Sequence, residues 1–203
     1  MTDTFDTMFA GSPVMAILRG YTPERSVELA NLAWSLGISS VEVPIQNDAA
    51  LDALRAVVRA AEPGGHAVGA GTVVSLAHVD QAKQAGATFT VAPGLDPAVI
   101  EAALAAGLAP LPGVASGTDI QLAKALGLTW VKAFPASVLG ADWFSAMRGP
   151  FPEMRLVATG GINAANAGEY LAAGADVVAV GSALEDEAQL PLLSALRASA
   201  PAR

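Results

Sequence analysis

TWVKAFPAS (Thr129–Ser137) places a lysine inside what otherwise reads as a short, fully buried strand. Trp130, Val131, Ala133 and Phe134 are apolar, Gly127 stands before them as a helix stop, and Pro135 closes the run. Of the three lysines in the chain, Lys83 and Lys124 fall on polar faces of predicted helices, where an ammonium stays in water. Lys132 has no such outlet if the strand is central. Desolvation then disfavours its charged form and makes it a candidate amine nucleophile near neutral pH. The competing structural reading is a lysine paired with a buried carboxylate, or one at a strand end with its head in solvent.

On both sides of this strand one pattern recurs: an apolar run, a loop, a helix of about ten residues, a glycine, and another apolar run. Eight runs are expected as strands, at Val14–Arg19, Ser40–Ile45, His66–Val73, Phe89–Pro93, Ala109–Val114, Trp130–Pro135, Arg155–Gly160 and Val177–Gly181. Thr22-Pro23 and Asp96-Pro97 read as N-cap and first helical residue. Gly37, Gly86, Gly107, Gly127 and Gly174 each stand where a helix must end in a left-handed residue. Strands joined by helices are parallel, and a count of eight predicts closure into a compact α/β (β/α)8 TIM barrel occupying residues 1–203 as a single domain. Residues 1–12 read as a short N-terminal helix or arm, with Phe5, Met8 and Phe9 on one side as a plug for one end. An open doubly wound sheet is the rival. It usually carries a phosphate loop after its first strand, where this chain has Arg19-Gly20-Tyr21-Thr22. The glycine-rich strand ends come late instead, at Thr159-Gly160-Gly161 and Gly181-Ser182, where eight-stranded barrels hold phosphate.

Composition narrows the chemistry. The net charge is −8 with no basic cluster, which argues against a nucleic-acid partner but not against a small phosphorylated substrate. There are no cysteines and only two histidines, so thiolate metal sites and cysteine nucleophiles are excluded, and histidine cages or serine-histidine relays are disfavoured. The start of the chain lacks the basic and apolar regions of a signal peptide, and no run is long enough for a membrane helix, so the cytoplasm is the default expectation. Hydrophobic residues reach 53% against 15% charged, which points to surface buried between subunits.

Val41-Glu42-Val43-Pro44 puts a carboxylate among apolar neighbours on the second strand. If Val41, Val43, Val131 and Ala133 face the helices, Glu42 and Lys132 both point inward, and two buried ionisable groups are better explained together than apart. One joint explanation is a buried salt bridge. The other is chemistry, with Lys132 attacking a ketone and Glu42 moving protons. Arg19, and Thr72 within Gly69-Ala70-Gly71-Thr72, would add a cation and a hydroxyl for a substrate carboxylate.

Glu42-Val43-Pro44, Gly69-Ala70-Gly71-Thr72-Val73, Pro93-Gly94, Pro112-Gly113, Lys132-Ala133-Phe134-Pro135 and Thr159-Gly160-Gly161-Ile162 together resemble the class I 2-keto-3-deoxy-6-phosphogluconate and phosphogalactonate aldolases, from Ile17-Leu18-Arg19-Gly20 to Gly181-Ser182. The resemblance implies a homotrimeric barrel enzyme that cleaves a phosphorylated keto-deoxy sugar acid to pyruvate and glyceraldehyde 3-phosphate, without metal or other cofactor. It implies that Lys132 is the Schiff-base lysine and Glu42 the acid/base carboxylate. By the same resemblance Arg19, Gln46, Thr72, Pro93, Phe134 and Thr159 line the substrate, and Gly160, Gly161, Gly181 and Ser182 form the phosphate cradle. Gln46 stands where gluconate-type enzymes carry arginine and is closer to galactonate-type members, whereas Thr159-Gly160-Gly161 is the gluconate-type spelling, and Ser137 replaces a frequent glutamate. The C4 epimer is therefore left open. Rival readings are a pyruvate aldolase for a non-phosphorylated 4-hydroxy-2-keto acid, a phosphosugar isomerase using Glu42 as base, and a non-catalytic trimeric scaffold.

Overall fold

The computed structural model describes residues 4–198. Residues 1–3 of the expected N-terminal arm and 199–203 of the expected domain lie outside the described residues. The elements run α1 (Thr4–Phe9), β1 (Val14–Ile17), α2 (Pro23–Ser35), β2 (Ser40–Pro44), α3 (Asp48–Ala61), β3 (Ala67–Gly71), α4 (Leu76–Gln84), β4 (Phe89–Val91), α5 (Pro97–Ala105), β5 (Ala109–Leu111), β6 (Gly113–Val114), α6 (Gly117–Ala125), β7 (Trp130–Ala133), α7 (Ala136–Leu139), α8 (Ala141–Arg148), β8 (Arg155–Thr159), α9 (Ala167–Ala172), β9 (Val177–Val180) and α10 (Leu190–Ala198). Short 3₁₀ turns fill Glu62–Gly64 and Ser182–Glu185.

The local signals work as chemistry requires. Thr22 and Asp96 accept from the amides of Arg25 and Ala98, with Pro23 and Pro97 opening their helices. Gly37, Gly86, Gly107, Gly127 and Gly174 all have positive φ and turn each helix back toward the next strand.

All strand pairs are parallel, in the order β5-β4-β3-β2-β1-β9-β8-β7-β6. The two ends of that list, β5 and β6, are consecutive pieces of one chain segment, so the sheet closes on itself as an eight-staved barrel. The fifth stave, expected as one strand over Ala109–Val114, is divided at Pro112. Leu111 O accepts from Ala92 N on the β4 side, and Pro112 O from Lys132 N on the β7 side. A proline cannot donate to a ladder, and the stave changes partner across it.

Period-2 alternation sorts the side chains into two cores. Val14, Ala16, Val41, Val43, Val131, Ala133, Leu156, Ala158, Val178 and Val180 pack outward against the helices. Met15, Ile17, Phe89, Val91, Leu111, Trp130, Val157, Val177 and Ala179 fill the interior together with Phe5, Met8 and Phe9 of α1. The Phe5 ring lies 5.8 Å from Phe89 and 6.2 Å from Trp130, and Phe9 lies 5.1 Å from Trp130. Phe89 and Trp130 are the first residues of their strands. The arm therefore plugs the N-terminal end of the barrel and leaves the C-terminal end as the open mouth. No helix among the described residues is long and apolar enough to cross a membrane.

Candidate active site

The outward packing of Val41, Val43, Val131 and Ala133 forces the residues between them inward, so Glu42 and Lys132 enter the barrel. Their strands β2 and β7 stand four staves apart by either route round the ring, so the two side chains face each other across the axis. Glu42 is 1% and Lys132 2% exposed. Burial pushes the Lys132 amine below its usual 10.5, with Arg19 adding to the fall and the Glu42 charge opposing it. Burial likewise pushes the Glu42 carboxyl up, against the pull of Lys132 and Arg19. Among the described residues the two form no ion pair within 4.0 Å, and Glu42 Oε2 is buried without a hydrogen-bond partner. The buried salt bridge is thus not what holds them. An unpartnered carboxyl oxygen facing an amine that burial pushes down is arranged for a third molecule.

Gly71 makes room for that carboxylate. A Cβ at this position would lie 1.6 Å from Glu42 Oε2. Gly71→Ala should displace Glu42, lowering kcat/KM by about 10²-fold and stability by about 1–3 kcal/mol. Gly168→Ala is the control, since nothing lies within 4 Å of the Cβ it would add. Kinetics and thermal melts on both variants check this; an active Gly71→Ala protein would remove the steric argument. Thr72 follows at φ 59, a left-handed conformation that side-chain-bearing residues seldom adopt.

The other sequence-predicted residues all fall on the last residues of strands or the loops after them, hence at the same mouth. Thr159 ends β8, is 2% exposed, and its hydroxyl is buried without a partner. The Phe134 ring is half-buried with its centroid 4.7 Å from Lys132 Nζ. Arg19, Gln46 and Pro93 are exposed on the loops after β1, β2 and β4, and Arg19 is close enough for both buried groups to sense its charge. Gly160 and Gly161 follow β8, and Gly181 and Ser182 follow β9. Among the described residues no group of three or more His, Asp or Glu side chains could hold a metal ion.

The chain matches the family of aldolases described as KDPG and KHG aldolase over residues 5–192. It belongs to that family. A relative from Rhizobium meliloti (strain 1021), a probable 2-dehydro-3-deoxy-6-phosphogalactonate aldolase, is 34% identical over 85% of this chain and 81% of its own. Among solved structures, the KDPG aldolase of Legionella pneumophila, with pyruvate captured as a covalent carbinolamine, is 28% identical with a TM-score of 0.81, over 95% of this chain and 96% of that one. The 2-keto-3-deoxy-6-phosphogluconate aldolase of Zymomonas mobilis ZM4 with 3-phosphoglycerate is 32% identical with a TM-score of 0.81, over 96% and 93%.

Around the loop after β8, Asn163 and Asn166 carry no sequence signal strong enough to single them out. Gly160 and Gly161 have φ of 96° and 76° and are also crowded. A Cβ on the first would meet the Phe134 ring at 3.2 Å, and on the second the Ser137 side chain at 2.5 Å. Ser137 N donates to Gly160 O at 3.0 Å, and Asn166 Nδ2 to Gly161 O at 2.9 Å. Asn163 Oδ1 in turn accepts from the amides of Ala165 and Asn166. In the sequence Ser137 is only a departure from a motif, and the Asn163-x-x-Asn166 spacing is the one local hint.

Proposed function

We propose that the chain is a class I aldolase that reversibly cleaves 2-keto-3-deoxy-6-phosphogalactonate, or its phosphogluconate epimer, to pyruvate and glyceraldehyde 3-phosphate. The observation that carries this is the pair of buried ionisable groups facing across the open mouth, the amine pushed down and the carboxyl pushed up. In the mechanism, the Lys132 amine adds to the C2 ketone, and Glu42 protonates the carbinolamine hydroxyl, which leaves as water. The resulting iminium accepts the electron pair of the C3–C4 bond as Glu42 takes the proton of the C4 hydroxyl. Glyceraldehyde 3-phosphate departs, Glu42 returns the proton to C3 of the enamine, and water hydrolyses the pyruvyl imine to free Lys132.

Thr72, Thr159 and Arg19 are positioned for the substrate carboxylate and hydroxyls, and Gln46, Pro93 and Phe134 for the walls of its path. The amides of Gly160, Gly161, Gly181 and Ser182 are positioned for the phosphate. A non-catalytic scaffold gives no reason to bury a carboxyl with an unpartnered oxygen across the barrel from a buried lysine. We assign residues 1–203 to one barrel domain, working as a cytoplasmic homotrimer. Exposed Val74, Leu76 and Leu104 on adjacent β–α units support association of copies.

Borohydride added with pyruvate should fix a covalent adduct on Lys132, read by peptide mass spectrometry. Folded protein that gains no mass would overturn the proposal. In the same preparation, removal of the phosphate from substrate should lower kcat/KM by about 10²-fold or more. Cleavage of the two C4 epimers side by side then decides between them.

A further inference from the structure

The loop after β1 carries Arg19 and continues into Tyr21. The turn after β9 carries Gly181 and Ser182 and continues into Glu185. β1 and β9 are paired strands, so the two loops emerge side by side at the mouth. There the Tyr21 hydroxyl donates to Glu185 Oε2 at 2.7 Å, and Arg25 Nη2, in the first turn of α2, stands 3.7 Å from Glu185 Oε1. The Tyr21 ring is half-buried against the outer core. Burial, and then the bond to Glu185, push its hydroxyl up to about 12, so it remains a proton donor throughout the working range. The turn itself is short. Ala183 and Leu184 anchor its apolar side in the core at 1% and 2% exposure, and Leu184 N donates to Gly181 O at 3.3 Å. Its polar end, Glu185, is held from the α2 side. An exposed ion pair such as Arg25–Glu185, whose arginine also pairs with Glu28 Oε2, fixes little. A short bond from the hydroxyl of a half-buried tyrosine to a carboxylate is stronger and directional.

We propose that Tyr21 and Glu185 are positioning residues for the phosphate subsite. Their hydrogen bond fixes the 182–185 turn so that the Gly181 and Ser182 amides stay at the phosphate, and it holds the Glu185 carboxylate on the α2 side, away from a dianion. This rests on the reading of Gly181 and Ser182 as part of the phosphate cradle. Neither residue touches the reacting carbons, so the effect falls on binding of the phosphate end and not on imine chemistry.

The test uses the full chain, with inorganic phosphate as the probe of the subsite. Tyr21→Phe should raise both KM for the phosphorylated substrate and the inhibition constant of inorganic phosphate by about tenfold. It should leave kcat within about twofold, and the rate of pyruvate trapping by borohydride unchanged. Glu185→Ala, at an exposed position, should reproduce this even if Tyr21→Phe folds poorly. Glu185→Gln keeps an acceptor for the tyrosine and should rescue, and the double variant Tyr21→Phe/Glu185→Ala should be no worse than either single one. Unchanged phosphate inhibition in both single variants, or a loss that falls on kcat or on trapping, would overturn the proposal. Failure of wild-type protein to trap pyruvate would count against the aldolase reading alone, because phosphate binding measured by calorimetry tests the Tyr21–Glu185 contact separately.

Discussion

Lys132→Met is expected to lower aldol cleavage by about four orders of magnitude or more while leaving the protein as stable as before, or more stable by about 1 kcal/mol. Methionine has nearly the length and volume of the lysine stem and fits the same 2% exposed position without a charge to desolvate. The amine is already pushed down by burial, so its presence works against folding, and removing it removes that cost. Glu42 loses the pull of Lys132 that opposed its upward shift, so burial pushes its carboxyl further up and disfavours a stranded charge. Steady-state kinetics together with denaturant unfolding read both halves of the prediction. A stable variant retaining a few per cent of activity would move the nucleophile elsewhere. A large loss of stability would make Lys132 a structural partner instead.

Glu42→Gln should lower kcat/KM by about 10²–10⁴-fold and change the pH profile in a direction fixed by the electrostatics of the pair. The proposed reaction needs the neutral Lys132 amine, whose fraction grows with pH. Because burial depresses the amine below 10.5, the rising limb of wild-type kcat/KM must lie below that value. The Glu42 charge raises the Lys132 pKa, so replacing it with an amide lets the amine fall further and moves the limb to still lower pH, at a lower plateau. The limb belongs to the coupled pair in the wild type and to Lys132 alone in the variant. A rate profile of borohydride trapping against pH, run on both proteins, measures the displacement; a shift toward higher pH would contradict the proposed arrangement.

Much of the barrel was legible because its signals are local. Caps such as Thr22-Pro23, the glycines at helix ends and the alternation in Val41-Glu42-Val43 each act within a few residues, and each is found where the residue types placed it. The strand ends expected from hydropathy run past the observed ones for a definable reason. Leu18, Ile45 and Val73 lie past their strands yet stay buried, and their amides still donate to Glu42 O, Gly71 O and Val91 O at 2.9, 2.9 and 3.1 Å. Hydropathy therefore does not fall where the ladder stops. The break at Pro112 was equally hidden, since an apolar run reads the same whether it pairs on one side or changes partner midway.

For the candidate site, the two outliers Glu42 and Lys132 announce themselves, because a charge among apolar neighbours is anomalous in the sequence itself. What surrounds them does not. Gly71 yields space to a carboxylate on the neighbouring strand, Asn166 secures Gly161, and Tyr21 reaches Glu185 across 164 positions of chain.

By itself the sequence determined the succession of strands and helices, their parallel sense and the alternation that sets Glu42 and Lys132 on the face opposite their apolar neighbours, since each follows from periodicity and from short-range hydrogen bonding. Only the tertiary structure decided that the second and sixth staves oppose each other, which end of the barrel α1 plugs, and which small residues leave room at the mouth. Those outcomes depend on ring closure and on contacts between distant segments, and no interaction confined to a few neighbouring residues can specify them.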